Sequence, residues 1–347
     1  MAISSAIGSL GRRDIAIDLY DDPHAAAAAG WDALAAAAVA PVFYRPAYLT
    51  AYHDAPLAPL DRVAYLVVRA GGEPVAALPV ALHPAADPLG GLRGAHPGIE
   101  DGPALLSHVW HCYDTRIVGA TDRPVVDAIL GTLAELARAW GAPWYGLVNV
   151  ERGGPTAAAL TGAGLVGRHI IDRFATDLRG VADLDGFLAR LGERPRANLR
   201  RTARRAAESG LTTTVGPATG ADLAEIAELC GRTAARFGNA GFYPADTFVR
   251  FVRTLGPAAH VLQIRQRDRL VAAGVCLTDE LRFHTWTCGV DYEVTGNASP
   301  YAVLYIESVR LAIALGRPVL EGGRSNEAFK RRHGLTARRL DAYLARA

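Results

Sequence analysis

The sequence predicts an α/β protein made of two copies of one folding unit, and an internal repeat is the main reason. Residues 65–77 form an apolar stretch, a short polar turn and a second apolar stretch, which is the pattern of a β-hairpin. The same pattern returns at 261–273, shifted by 196 residues. We therefore expect one α/β unit at 14–178 and a second at 179–347.

Matching helix signals flank the two hairpins. Before each hairpin, a Phe-Tyr pair stands close to a proline, at 43–46 and at 242–244. After each hairpin, Pro124 or Pro300 opens a helix, a glycine follows the last turn, and an apolar strand comes next. Strands that alternate with helices in this way indicate the α/β class for both copies.

The composition excludes some classes of protein. The 347 residues, half of them hydrophobic, are enough for two domains with their own cores. The net charge of +2 does not demand bulk nucleic-acid binding, although a local basic patch stays open. The four cysteines form no Cys-x-x-Cys pair, which favours reduced thiols and a cytoplasmic protein. The alanine-rich stretch 25–40 is interrupted by Gly30 and Asp32, and we expect a packed helix there instead of a membrane span.

The segment 108–114 raises the question of a metal site, because it contains His108, His111 and Cys112. Structural zinc needs four ligands, and two histidines with one cysteine are too few. We therefore expect aromatic packing in this segment and no bound metal. A metal hydrolase built around the two histidines is the weakest functional alternative.

An arginine-rich segment at 194–205 is expected to form an amphipathic helix. Leu199 and Ala203 fall on one face of this helix, and arginines fall on the opposite face. The arginine face is either ordinary solvated surface or a contact surface for the phosphates of a substrate or of tRNA. The candidate phosphate ligands are Arg196, Arg200, Arg201, Arg204 and Arg205.

The stretch 320–334 contains Lys330, the only lysine of the chain. Lysine carries a compact charge on a mobile stem and, unlike arginine, changes its pKa readily when it is buried. The local sequence predicts a strand that ends at Leu320, a turn at 322–323 and a short helix capped by Ser325. The N–H groups at such a helix start can hold an anion. The alternative is an ordinary turn followed by a solvated basic helix.

Together, these features resemble the GNAT superfamily. The resemblance rests on the repeat, the Arg-Ala-Asn-Leu-Arg-Arg run at 196–201, the Ser-Pro-Tyr helix start at 299–301, and Glu321 with the Phe-Lys-Arg-Arg-His-Gly run at 329–334. More narrowly, the chain is similar to the duplicated branch of the superfamily, which contains the Fem-type peptidoglycan bridge transferases and related acetyltransferases. The resemblance covers nearly the whole chain and implies two tandem GNAT folds, each a mixed central sheet flanked by helices.

The resemblance also implies transfer of an activated acyl or aminoacyl group to an amine of a small-molecule or peptide-like acceptor. The co-substrate that carries this group is acyl-CoA, an acyl carrier protein or an aminoacyl-tRNA, and no tightly bound cofactor is expected. In Fem-type enzymes a Phe-Lys pair lies near the donor ester, and it corresponds to Phe329 and Lys330. Ordinary GNAT enzymes hold the CoA pyrophosphate on a glycine-rich loop. The corresponding stretch 293–299 has only Gly296, which favours tRNA.

Acyl transfer to an amine needs positioning, stabilisation of an oxyanion and a proton acceptor. Under the resemblance, Lys330 is the candidate for the oxyanion or the leaving oxygen, and Tyr301 for the proton of the leaving group. Glu321 or Asp291 is the candidate acceptor for the proton of the amine. The substrate-binding candidates are Arg324, Asn326, Phe329, His284 and Trp286, with Glu100 and Asp101 as acceptor contacts from the first unit.

Each of these roles has a structural alternative. Glu321 can simply pair with an arginine, Tyr301 can belong to the core, and His284 can be an ordinary strand residue. Cys288 has no evident histidine or aspartate partner, so a covalent thiol mechanism is not expected. For the whole protein, the alternative to an enzyme is a non-catalytic duplicated module with a binding or regulatory role.

Overall fold

Two compact units make up the computed structural model, which describes residues 14–85, 87, 90–99, 102–107, 111–293 and 299–347. Unit 1 comprises Met1–Asp172 together with the C-terminal segment Arg338–Ala347. Unit 2 comprises Arg173–Ala337. The predicted α/β class, with mixed sheets flanked by helices, is confirmed in both units.

Unit 1 combines a mixed sheet with mostly short helices. Its strands are β1 (Ile15–Tyr20), β2 (Arg62–Ala70), β3 (Glu73–His83), β4 (Ala104–Leu106), β5 (Val118–Gly119), β6 (Trp144–Glu151) and the start of β7 (Gly167–Asp177). Its helices are α1 (Pro23–Ala26), α2 (Asp32–Ala37), α3 (Pro46–Asp54), α4 (Gly91–Ala95), α5 (Arg123–Trp140) and α6 (Pro155–Gly162). A π-helical turn at Ala27–Trp31 joins α1 to α2, because Gly30 has a φ of 115° that interrupts the single helix expected here.

The strands of unit 1 follow the predicted hairpin and helix signals. β2 and β3 form the antiparallel hairpin expected at 65–77. β4 and β6 run parallel, from the pair Ala104–Trp144 to the pair Leu106–Gly146. The helix α5 starts where Asp122 caps it, and it ends at Gly141, whose φ of 71° closes the last turn. The core of this unit lies between α5 and the sheet.

Unit 2 has the same kind of mixed sheet and longer helices. Its helices are α7 (Leu184–Ala189), α8 (Glu193–Glu208), α9 (Leu223–Arg236), α10 (Ala245–Thr254), α11 (Pro300–Ala314) and α12 (Glu327–Arg332). Its strands, after the end of β7, are β8 (Leu211–Pro217), β9 (Ala259–Gln266), β10 (Arg269–Thr278), β11 (Arg282–Val290) and β12 (Val319–Gly323). The strand β13 (Thr336–Arg346) then returns to unit 1, where it pairs antiparallel with β6.

The sheet of unit 2 has the strand order β8-β9-β10-β11-β12-β7. Its neighbours are antiparallel, including the predicted hairpin of β9 and β10, except that β11 and β12 run parallel. The helix α11 packs on β9, β10 and β11, and Phe283, Val309 and Leu320 are fully buried in this core. No helix among the described residues is long and apolar enough to cross a membrane.

Candidate functional site

The candidate site lies in unit 2, where the parallel strands β11 and β12 separate. The two strands pair only from Arg282–Val319 to His284–Glu321, whereas β11 continues to Val290. At the same level, the register between β10 and β11 shifts between Val275 and Leu277. Within the described residues, β11 therefore presents an edge beyond His284 that does not pair with β12. Backbone groups on such an edge can bind an extended ligand.

Lys330 lies on α12, the short helix that follows β12, and only 5% of it is exposed. Its Nζ atom donates a hydrogen bond of 2.5 Å to the backbone oxygen of Arg324 and lies 5.6 Å from the centre of the Phe174 ring. Burial lowers the pKa of Lys330 from 10.5 to about 7, a shift that Cys288 opposes and Arg324 reinforces. At neutral pH, this amine is close to half protonated and can both accept and donate a proton.

The backbone before α12 differs from the predicted turn and cap. The strand β12 continues to Gly323 instead of ending at Leu320. The prediction that Ser325 caps α12 is wrong, because its hydroxyl bonds to the oxygen of Arg324 and Asn326 occupies the cap position. Ser325 and Asn326 both adopt left-handed conformations, with φ values of 60° and 51°. Such conformations cost free energy and concentrate at functional sites.

Four predicted site residues meet at the start of α11 and in α12. Phe329 packs edge to face on Tyr301, with ring centres 4.9 Å apart, and Lys330 follows it in α12. Burial raises the pKa of Tyr301, and the side chain of Asn326 opposes this increase. Tyr301 therefore keeps its proton at neutral pH, and the same shift makes it a weaker acid than a free tyrosine.

Glu321 forms a buried ion pair with Arg173. The Oε1 atom of Glu321 is 3.6 Å from a terminal nitrogen of Arg173, and both side chains are 3% exposed. The pairing agrees with the structural alternative for Glu321. Its Oε2 atom, however, has no hydrogen-bond partner among the described residues, so this oxygen stays a candidate proton acceptor.

Two other predicted site residues are engaged elsewhere. His284 is fully buried, and its Nε2 atom lies 3.0 Å from Oδ2 of Asp279. These surroundings fit the alternative in which His284 is an ordinary strand residue, because the side chain has no exposed surface for a substrate. Asp291 accepts bonds of 3.0 and 2.5 Å from Arg269. Burial raises the pKa of Asp291, but bonds from the Glu293 backbone and from Arg269 outweigh this effect and lower it. A carboxylate with a lowered pKa is a weak base.

Trp286 contacts α10, and the charge of Arg324 acts on a residue just before this helix. Trp286 is 8% exposed and stacks on Phe248 and Phe251, with ring centres 6.0 and 5.3 Å away. The indole therefore packs α10 onto β11 and offers little surface to a ligand. Arg324 is partly exposed, and its charge acts on Tyr243, which precedes α10.

The predicted arginine-rich helix is α8, which buries Leu199, Thr202 and Ala206 and packs against α11. Its outer face is exposed and basic. Several of its arginines already have protein partners, which are a backbone oxygen for Arg196 and the side chains of Asp185, Asn198 and Glu208 for Arg200, Arg201 and Arg204. Exposed pairs of this kind contribute little to stability, and phosphates can replace them.

Some predictions concern residues that the structure does not describe. Glu100, Asp101 and His108 lie outside the described ranges. In the part of the chain that is described, no group of three or more His, Cys, Asp or Glu side chains is arranged to hold a metal ion.

Unit 1 contains an equivalent parallel strand pair, but its own chain fills the gap between the strands. β4 and β6 also pair over three residues, and beyond them the amide of Val148 donates to Oγ of Ser107 at 3.2 Å. Thr115 then pairs with Val150 in a parallel bridge, and the side chain of Asn149 donates to Cys112. The edge of β6 is therefore used internally from Val148 to Val150, whereas in the described part of unit 2 the corresponding edge of β11 is bonded at Val290, whose N–H donates to Oγ1 of Thr233 and whose carbonyl oxygen accepts from it.

Cys288, which was not among the predicted site residues, lies on this edge of β11. It is the one partly exposed cysteine, since Cys112, Cys230 and Cys276 are buried. Burial raises its pKa, and the charge of Lys330 opposes this increase. No local spacing in the sequence could have indicated that the charge of Lys330 acts on Cys288, because β11 and α12 come together only in the fold.

Comparisons with known proteins agree with this geometry. Residues 193–331 match the family model described as an acetyltransferase (GNAT) domain, and no protein with a curated description matches the chain. Among solved structures, FemX is similar with a TM-score of 0.57 and 12% identity, over 82% of this chain and 88% of that chain. A tandem GNAT protein from the clavulanic acid biosynthesis pathway has a TM-score of 0.55 and 15% identity, over 95% and 98%.

A third similar structure is L-PGS from Bacillus licheniformis, with a TM-score of 0.55 and 14% identity over 97% of this chain and 94% of that chain. At these identities, the likeness shows the fold and nothing beyond it. The GNAT resemblance seen in the sequence is thereby confirmed. Residues 193–331 match the acetyltransferase (GNAT) domain model, and the chain as a whole has the fold of a tandem GNAT protein.

Proposed function

We propose that this protein is an N-acyltransferase whose active site is formed by unit 2. The observation that carries the proposal is the burial of Lys330 beside the separated strands β11 and β12, within a domain that matches the GNAT model. Burying an amine costs free energy unless it is hydrogen-bonded or loses its charge, and a strongly shifted pKa is typical of catalytic groups.

The proposed reaction passes an activated acyl or aminoacyl group to an amine. The donor lies along the edge of β11, and Lys330 receives a proton from the attacking nucleophile and returns it toward the leaving group. Tyr301 relays this proton, because it gives its own proton to the leaving sulfur or oxygen and takes the one that Lys330 holds. The Oε2 atom of Glu321, which has no hydrogen-bond partner among the described residues, orients the incoming amine.

Two carriers are consistent with this site, and different observations support each. The description of the matching domain as an acetyltransferase supports acyl-CoA. The basic outer face of α8, which packs against α11, supports an aminoacyl-tRNA, whose phosphates arginine side chains bind well.

The test is a binding and transfer assay with both carriers. We would titrate the full chain with acetyl-CoA and with aminoacylated tRNA, and then measure transfer to a panel of primary amines. We expect saturable binding of one carrier and a transfer rate that falls on the order of 10²-fold or more in Lys330→Met, with binding retained. Arg332→Met, on the same helix but exposed, is the matched control.

The competing view is a non-catalytic module. Absence of binding to both carriers, or transfer that is unchanged in Lys330→Met, would favour that view and overturn the proposed function.

A further inference from the structure

We propose that Phe237 and Tyr292, together with Arg236, form a stacking surface for the adenine of the donor, and that this adenine is the terminal base of an aminoacyl-tRNA. This inference rests on the proposed function and names its carrier. In the described part of the chain, Phe237 and Tyr292 are the two aromatic residues among the exposed large hydrophobic side chains, at 64% and 47% exposure. Single exposed apolar side chains are ordinary, whereas exposed apolar groups in contact with each other are typical of binding surfaces.

The two rings form a corner with an arginine beside it. Their centres are 6.1 Å apart, and their planes meet at an angle of 78°. The guanidinium carbon of Arg236 lies 4.7 Å from the centre of the Tyr292 ring. Arg236 is exposed and forms no ion pair among the described residues, whereas Arg232, one turn earlier, pairs with Glu228. A flat base that stacks on one ring therefore meets the edge of the other, and a neighbouring phosphate can pair with Arg236.

The stacking surface is fixed to the end of β11. Phe237 follows the last residue of α9, and Tyr292 is the second residue after β11. Thr233 of α9 exchanges two hydrogen bonds with Val290, the last residue of β11, at 2.8 Å to its nitrogen and 3.2 Å to its oxygen. The rings are therefore held beside the same strand along which the proposed function places the donor.

The two carriers differ in how far their adenine is from the reacting carbonyl. In an aminoacyl-tRNA, the acyl group is an ester of the terminal ribose, so a single sugar separates the carbonyl from the adenine. In acyl-CoA, the pantetheine arm and the pyrophosphate separate them. A stacking surface two residues beyond the strand that holds the donor fits the shorter separation. Aromatic rings with a nearby arginine are also how proteins bind unpaired nucleic-acid bases.

Two fluorescently labelled RNA hairpins test this inference by anisotropy with the full chain. One ends in single-stranded cytidine-cytidine-adenosine, and the other differs only in that its last nucleotide lacks the base. We expect the wild type to bind the first on the order of tenfold more tightly, because a stacked base adds affinity while the phosphates are the same. In Phe237→Ala and in Tyr292→Ala, this preference should be lost, since ring and base act through one contact. Leu281→Ala, which removes another exposed apolar side chain of unit 2, is the control and should keep it.

Three results would overturn the inference. Equal affinity of the wild type for the two hairpins, or a preference that persists in both ring variants, would exclude this surface as the adenine site. Ring-dependent binding of CoA without ring-dependent binding of the hairpin would assign the adenine to CoA and contradict the choice of tRNA. In each case, N-acyl transfer that depends on Lys330 would leave the proposed function intact. Conversely, ring-dependent RNA binding without transfer from either carrier to any amine would support the stacking surface and contradict the proposed function.

Discussion

The pKa of a single side chain, Lys330, predicts how activity depends on pH. Its neutral form accepts the proton, so we expect kcat/KM to rise as the pH increases through about 7 and then to level off. Cys288 and Arg324 are the charged or titratable neighbours that act on this amine. In Lys330→Arg, the guanidinium stays protonated and the rise should disappear. A wild-type profile without this rise, or its persistence in Lys330→Arg, would contradict the assignment.

The same lysine predicts how folding stability depends on pH. In the unfolded chain, its pKa is about 10.4, so between about pH 7 and 10 the unfolded state binds more protons than the folded state. The contribution of Lys330 to the free energy of unfolding therefore increases with pH across this window. Cysteines and tyrosines with raised pKa values act in the opposite direction, so the comparison is made with Lys330→Met.

Urea unfolding at pH 7 and at pH 9 measures this effect. We expect the free energy of unfolding of the wild type to increase relative to that of Lys330→Met between the two pH values. A difference that stays constant with pH would mean that the amine is not desolvated in the folded protein.

At this scale, the sequence predicted which candidate residues the fold brings together better than it predicted their ionisation. A unique lysine and the Phe-Lys run pointed to Lys330 and Phe329, and the fold brings Tyr301 and Asn326 to them. The shifted pKa could not be predicted, because it depends on burial by residues distant in the chain. His284 was predicted to bind substrate, but its side chain is bonded to Asp279. This contact depends on how β10 and β11 pair and not on a recognisable spacing.

Local signals predicted most of the secondary-structure elements. Proline at the start and a cap or glycine at the ends define α5 and α11 as expected. The exceptions are positions where tertiary packing determines the backbone conformation. β12 extends to Gly323 because it pairs with β7, and the helix expected in the stretch 25–40 is broken at Gly30.

The packing of α9 on β11 depends on a glycine. A Cβ atom at Gly289 would lie 2.6 Å from the backbone nitrogen of Cys230 in α9. Gly289→Ala should therefore push α9 away and reduce the free energy of unfolding by about 1–3 kcal/mol. Gly274→Ala, on the neighbouring strand β10, is the control, because its nearest contact would be an ordinary 3.6 Å. Equal shifts of the urea midpoint in both variants would contradict this account.

The arginine face of α8 makes a prediction that separates the two carriers. If the carrier is tRNA, Arg200→Glu with Arg201→Glu should weaken its binding and lower the salt dependence by about 0.9 in the log–log slope for each lost phosphate contact. The matched control reverses two exposed arginines of α10, Arg250 and Arg253, with the same change in net charge. Identical effects of the two double variants on tRNA binding would show that only net charge matters.

The two units use the same topology in different ways. Each contains a parallel strand pair that holds together over three residues, at β4 and β6 in unit 1 and at β11 and β12 in unit 2. The repeat predicted this duplication of hairpins and helices. It did not indicate that Arg338–Ala347 would join unit 1, since a strand carries no signal for the sheet it enters. Nor did it indicate that residues 111–115 would occupy the edge of β6 in unit 1.

This difference predicts a single donor site in the whole molecule. Because unit 1 uses its strand edge internally, all donor binding should depend on unit 2, and a bulky side chain on the edge of β11 should abolish it. We expect calorimetric titration to give a single donor per chain for the wild type and no saturable binding for Cys288→Trp. Cys112→Ser, at the filled edge of unit 1, should bind like the wild type if it folds normally. Residual binding by folded Cys288→Trp would mean that residues 111–115 yield to a ligand and that unit 1 is a second donor site.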